Sequence, residues 1–247
     1  MKIFKRILVG LLIVVVLSVF GFVFWANDAY QPDETALDAL STDAQVEITL
    51  HDGFITFEPV QLQTTTGFLF YPGGRVDYRA YAPVLRMIAE RGYLVSLVKV
   101  RLNLAFFDIN AGDRVLETYP WIEQWVVGGH SLGGVAAATY AENHLDMIHG
   151  IVFWATYPAN DFFKNRDIPI LSVYGTNDGL ADGDKIEETS ALLPESTSYF
   201  PIAGGNHAQF GSYGAQSGDN PATITADEQW SQVAEETSDF LEILRDK

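Results

Sequence analysis

A serine hydroxyl is a weak nucleophile until a neighbouring base removes its proton, so a chain that uses one must lift it clear of the backbone. Ser131 is placed for this. It stands in Gly128-Gly-His-Ser-Leu-Gly-Gly134, where Gly129, His130, Ser131, Leu132 and Gly133 match the G-x-S-x-G pattern of a sharp strand-to-helix turn. The glycines two residues to either side permit the tight turn and a close backbone approach, because they carry no β-carbon. Such a pentapeptide also arises in ordinary glycine-rich loops, so the flanks decide. Glu123 to Val127 reads as a short buried strand, and Val135, Ala136, Ala137, Ala138, Tyr140 and Ala141 read as a helix packed closely on a sheet. The chain has no cysteine, which removes disulfides, thiolate metal sites and a thiol nucleophile together.

The elements that must hold Ser131 follow from the patterning of residues 46–247. Val46 to Leu50, an Asp52-Gly53 turn and Phe54 to Pro59 predict an antiparallel hairpin. Phe68 to Tyr71 is the next strand. It runs into Pro72-Gly-Gly-Arg75, after which Asp77 caps a helix carrying Tyr81, Val84, Leu85, Ile88 and Ala89. Tyr93 to Val98 is a strand again, and residues 101–120 are irregular apart from a helix near Ala111 to Thr118. Beyond the Ser131 helix come strands at Gly150 to Trp154 and Ile168 to Tyr174, then a helix from Lys185 to Leu193 with Asp184 as its N-cap. A short strand at Thr197 to Pro201 precedes a last helix, opened by Thr225 and Glu228 in capping-box spacing. Strands alternating with helices after an initial hairpin predict an α/β domain: a mostly parallel sheet with an antiparallel N-terminal hairpin and helices on both faces.

Composition narrows the partners. At 247 residues and 48% hydrophobic content the chain can bury one sizeable core. The formal charge is −17, a surface that repels nucleic acid. Residues 7–25 contain no charged side chain, and at about 1.5 Å per residue they are just long enough to cross a bilayer core. Lys2, Lys5 and Arg6 precede this run, while Asp28, Asp33 and Glu34 follow it. That asymmetry predicts a cytoplasmic N-terminus and an extracytoplasmic domain. A cleaved signal peptide is the competing reading, since Ala26 and Ala29 are small. The long core ending in Phe22, Val23, Phe24 and Trp25 lacks a clean small-x-small site, so residues 1–27 are expected to be an uncleaved anchor. Residues 28–45, polar and acidic with Pro32, read as a tether.

Ser131, a later acid and a still later histidine on alternating strands and helices resemble the α/β-hydrolase superfamily. The likeness covers residues 46–247 and is strongest to small single-domain members related to carboxylesterases and dienelactone hydrolases. Tyr71-Pro-Gly-Gly-Arg75, Tyr174-Gly-Thr-Asn-Asp178-Gly179 and Gly205-Asn-His207-Ala-Gln-Phe-Gly211 look like that group's turn, acid loop and histidine loop. Of the five histidines, only His207 lies in a glycine-rich loop after the last strand, as the family order demands. His51 lies beside the early turn, His130 is the interchangeable residue of the elbow, and His144 and His149 flank the end of its helix. Asp178 follows a strand end, where a carboxylate can orient His207. Asp182 lies further from that strand end, and Asp184 is accounted for as a cap. The resemblance also implies an oxyanion hole made by the backbone N–H of Leu132 and of Gly74, with Arg75 second to Gly74. Asn103 lies past a strand end where substrate-facing loops gather, but a helix N-cap explains it at least as well, and it receives no role.

The resemblance implies a serine hydrolase that cleaves small-molecule carboxylic esters through an acyl-enzyme, with Ser131, Asp178 and His207 as its triad. Some relatives use a cysteine nucleophile. Serine here favours simple ester hydrolysis over dienelactone chemistry. The connection from Ala155 to Asp167, where lids are inserted in this fold, is short and predicts a minimal lid over an open pocket. No His/Asp/Glu spacing suggests a metal, no glycine fingerprint suggests a nucleotide, and the chemistry needs no cofactor. An acyltransferase, an amidase or peptidase on the same triad, and a binding module on a hydrolase scaffold are the alternatives.

Overall fold

The computed structural model describes residues 2–62 and 64–245. Helix α1 (Lys2–Asn27) and a short α2 (Glu34–Asp38) precede the predicted hairpin, which forms as β1 (Val46–His51) and β2 (Phe54–Pro59). Strand β3 (Thr66–Tyr71), helix α3 (Ala82–Ala89) and strand β4 (Leu94–Val98) follow. Residues 101–112 form three short 3-10 turns before α4 (Asp113–Thr118). The central unit is β5 (Gln124–His130), α5 (Leu132–Asn143) and β6 (Ile148–Trp154). Then come β7 (Ile170–Gly175), α6 (Gly183–Thr189), β8 (Ser198–Ile202) and α7 (Ala226–Arg245).

The eight strands make one sheet in the order β1-β2-β4-β3-β5-β6-β7-β8. β2 pairs antiparallel with β1 and β4, and every other pairing is parallel. Parallel central strands are buried on both faces, which is why their sequences are continuous apolar runs. Alternation then sorts side chains to the two sides. Phe68 and Phe70 join the layer beneath α3 and α7, with Trp154, Val233 and Leu241. Leu69 and Tyr71 join the opposite layer beneath α5, with Val127, Ala137 and Phe153. This is the mostly parallel α/β architecture with an antiparallel N-terminal hairpin that the patterning predicts.

Three local expectations differ. β5 runs on through Gly128 and Gly129 to His130, although glycine disfavours strands. Both glycines pair with β3 on one side and β6 on the other, and two-sided pairing overrides propensity. The N-cap of α6 is Asp182, whose side chain accepts from the Lys185 N–H at 2.9 Å. Asp184 sits instead in the first turn.

The third difference is larger. Residues 28–45, expected as a tether, lie against the domain. Tyr30 bridges to Val76, Asp33 caps α2 and accepts from the Ser212 hydroxyl at 2.6 Å, and Ala36 is fully buried. Arg86 donates to the Ser41 carbonyl at 2.7 Å and pairs with Asp43. Composition alone reads such a segment as solvated, because each of its partners is remote in sequence. α1 is long and apolar enough to cross a membrane by length and composition, and its apolar side chains from Phe4 to Phe24 are exposed.

Candidate active site

Ser131 occupies the turn between β5 and α5 with φ 52° and ψ −124°, backbone angles that a residue with a β-carbon adopts only under external constraint. The constraint is visible on both sides. Ser131 N–H donates to the Trp154 carbonyl of β6 at 3.0 Å, and its own carbonyl accepts from Gly134 at 3.0 Å. Helix α5 also starts hard against the end of β3. A β-carbon on Gly133 would collide with the Tyr71 and Pro72 carbonyls. The predicted strand-turn-helix geometry is present, with small residues bringing helix and sheet together.

His207 and Asp178, 29 positions apart, meet across the ends of β7 and β8. His207 Nδ1 lies 2.8 Å from Asp178 Oδ2, and the two residues are only 2% and 3% exposed. The other carboxylate oxygen, Oδ1, accepts from the N–H groups of Leu180 and Ala181, each at 2.7 Å. Two backbone donors on Oδ1 and the imidazole at Oδ2 fix the face that this buried carboxylate presents to His207. His207 and Ser131 line the same cavity of about 350 Å³, together with Leu132, Val135, Thr156 and Leu180. His207 bonds to Asp178 and makes no hydrogen bond to Ser131 in this geometry. Ala155, which also borders the cavity, has φ 49°, so two non-glycine residues in the left-handed region shape the pocket.

The Pro72-Gly-Gly-Arg75 turn shows which of its N–H groups is free to point elsewhere. Gly73 N–H donates to the Tyr81 hydroxyl at 3.0 Å, and Arg75 N–H donates to the Asn103 carbonyl at 2.8 Å. Gly74 N–H, between them, has no partner among the described residues. Leu132 opens α5, where first-turn N–H groups lack intrahelical acceptors. Gly74 packs on the Leu132 side chain, at whose Cδ2 a β-carbon on Gly74 would come within 2.8 Å. The two residues expected to supply the donors thus adjoin, and Arg75 N–H is committed to another bond.

His130, read from sequence as interchangeable, is part of a buried network. Its Nδ1 lies 2.8 Å from the Tyr81 hydroxyl, its ring centroid is 4.4 Å from that of His207, and it stacks on Phe210. Tyr81 also accepts from Gly73 N–H, so one phenol links the turn to the His130 imidazole, the direction of the second bond following the His130 tautomer. Burial, and next the charge of nearby His207, hold the His130 imidazole well below the usual histidine range, so it stays neutral. Tyr81 itself is pushed well above the usual tyrosine range by burial.

Two further supports carry no sequence signal beyond turn chemistry. Asp219 accepts from Gly179 N–H at 3.0 Å and from Ala208 N–H at 2.8 Å, which ties the Asp178 loop to the His207 loop. Gln229 of α7, fully buried, accepts from the Asn206 N–H and donates to its carbonyl. The remaining histidines are engaged elsewhere: His51 beside Thr56 and Tyr119, His144 at Tyr140 and Asp113, and His149 at the Trp125 N–H. Among the described residues no three His, Asp or Glu side chains gather as a metal site.

Sheet order, elbow geometry and loop placement together define a class, and the comparisons agree. The Alpha/beta hydrolase family matches residues 67–231, and the chain belongs to that family. No curated protein sequence matches it. Similar solved structures include a predicted CIB-like hydrolase from Thermoplasma acidophilum, with TM-score 0.56, 16% identity, and coverage of 83% of this chain and all of the other. Dienelactone hydrolase from Anabaena variabilis gives TM-score 0.57 at 16% identity, over 81% of this chain and 99% of the other. Est1E from Butyrivibrio proteoclasticus, with ferulic acid bound, gives TM-score 0.59 at 14% identity, over 83% and 98%. At these identities the likeness is one of fold.

Proposed function

We propose that the chain is a serine hydrolase of carboxylic esters. The observation that carries this reading is the buried His207–Asp178 pair, whose His207 lines the same cavity as Ser131. With Nδ1–H given to Asp178, His207 keeps its lone pair on Nε2 and acts as the base. Ser131 Oγ attacks the ester carbonyl as His207 takes its proton. The tetrahedral oxyanion accepts from Leu132 and Gly74 N–H. The same proton then leaves with the alcohol, and water releases the acid by the reverse sequence, so the cycle consumes water and balances without a cofactor.

The scheme forms the Ser131–His207 hydrogen bond with substrate in place, since catalytic hydrogen bonds commonly tighten only then. α1 is proposed to be an uncleaved anchor that leaves the domain on the extracytoplasmic side. Ser131→Ala is expected to abolish turnover of a p-nitrophenyl acyl ester and labelling by a fluorophosphonate probe, with circular dichroism unchanged. Turnover at the parental rate in that variant sinks the assignment.

A further inference from the structure

The C-terminal end of α1 is built into the rim that carries Gly74. Arg75 Nε donates to the Trp25 carbonyl at 3.0 Å and its Nη2 to the Asp28 carbonyl at 2.6 Å, while its guanidinium lies 4.6 Å over the Trp25 ring. Asn103 Nδ2 donates to the Ala26 carbonyl at 3.3 Å. Phe22, about one and a half turns from the helix end, meets Phe107 edge-on with ring centroids 5.9 Å apart. Directly after the helix, Tyr30 N–H donates to the Arg75 carbonyl, and the Tyr30 carbonyl accepts from Asp77 N–H. Arg75, Leu102 and Asn103 all sit at positive φ, 56°, 56° and 52°, so the junction has a defined shape and α1 is held in one direction relative to the sheet.

That fixed junction sets the depth of its neighbours. The uncharged run of residues 7–25 is about 28 Å long at ~1.5 Å per residue, close to the ~30 Å hydrocarbon thickness. Trp25 then marks the boundary, and Phe22 lies about 4.5 Å inside it. Any ring packed on Phe22 shares that depth. Phe107 is such a ring, and it and the adjacent Phe106 are 51% and 50% exposed in the protein. Phe side chains are among those that interfacial segments bury at the boundary between headgroups and acyl chains.

We propose that the 3-10 turn Ala105–Phe107 is a membrane-interface surface, with Phe106 and Phe107 seated in the lipid leaflet from which α1 emerges. The occupant is lipid, because the apolar patch is continuous with the exposed apolar face of α1. This rests on reading α1 as an anchor, and it adds a fixed pose: Gly74 and the cavity mouth are held beside the leaflet surface instead of swinging on a tether.

The chain has no cysteine, so single spin labels can be placed through Phe106→Cys, Phe107→Cys, Val16→Cys and Glu195→Cys. Each full-length variant is reconstituted in vesicles of phosphatidylcholine with a minor share of phosphatidylglycerol. Collision accessibility to oxygen and to a water-soluble nickel chelate reports depth. The expected result is a several-fold lower nickel accessibility at 106 and 107 than at 195, with 16 deeper still. If 106 and 107 match 195 while 16 is shielded, the surface assignment falls and the anchor stands. If 16 is also open to nickel, the anchor falls and takes the surface with it. No turnover enters the measurement, so failure of the esterase reading leaves these outcomes unchanged.

Discussion

At the residue scale, the proposed chemistry depends on donors and acceptors that leave no choice of proton position. Asp178 receives three donors, two backbone and one imidazole, and an amide of the same size cannot accept all three. Asp178→Asn therefore turns either an NH2 group toward Leu180 and Ala181 or the wrong tautomer onto His207. We expect kcat to fall by about 10³- to 10⁴-fold with KM little changed, read from steady-state kinetics on a p-nitrophenyl ester. A loss smaller than tenfold overturns the role given to Asp178. Tyr81 acts one step further away, as a positioning residue for the Gly73-Gly74 turn through Gly73 N–H and for His130 through Nδ1. Tyr81→Phe is expected to lower kcat by roughly ten- to a hundredfold while sparing KM, because a displaced donor weakens transition-state binding first. Its thermal midpoint also falls, reflecting about 1–3 kcal/mol for unsatisfied buried groups. Lower stability with an unchanged kcat would reduce Tyr81 to a purely structural part.

At the element scale, the site exists because α5 begins where β3 ends. The Gly133 β-position is occupied by the Tyr71 and Pro72 carbonyl groups, so a side chain there must push helix and strand apart. Neither can give way: β3 is paired on both edges, and α5 carries Ala136, Ala137 and Tyr140 into the core. Gly133→Ala is expected to cost about 3 kcal/mol or more, measured by urea unfolding. Within 1 kcal/mol (~) of the parent, the result would show a softer joint than the packing implies. The elbow itself follows from sequence at this scale, since strand, glycine turn and small-residue helix are contiguous. The docked segment 28–45 does not, because its contacts at Val76, Ser212 and Arg86 come from three separate elements.

At the scale of the whole molecule, burying a neutral imidazole links stability to pH. The folded pKa of His130 is depressed, by burial first and by His207 second, whereas the unfolded chain titrates near 6.5. Below about 6.5 the unfolded state binds a proton that the folded state refuses, so stability declines as pH falls, by at most ~1.4 kcal/mol per pH unit from this group. Above that value the contribution is complete and flat. Unfolding free energies measured between pH 5 and 7.5 (approximate limits of the window) should show this slope in the parent and lose most of it in His130→Gln. Equal slopes in both proteins would place the pH dependence elsewhere. The same buried position explains why His130 and His207 play different parts 4.4 Å apart: only His207 has a carboxylate partner.

Reading outward from Ser131, the order of strands and helices, the hairpin edge and the capping box of Thr225 with Glu228 were all legible, because each depends on residues within a few positions of one another. His207 and Asp178 could be named by their place after the late strands, and the structure brings them to hydrogen-bonding distance. Tertiary structure alone decided the rest: that Gly74 and not Arg75 keeps an N–H without a partner among the described residues, that Tyr81 reaches His130 across 49 positions, and that Asp219 clasps two loops. The physical reason is common to all three. Local backbone preferences and hydrophobic periodicity are carried by neighbours along the chain, whereas the partner of a buried polar group is chosen by whatever the folded sheet places opposite it.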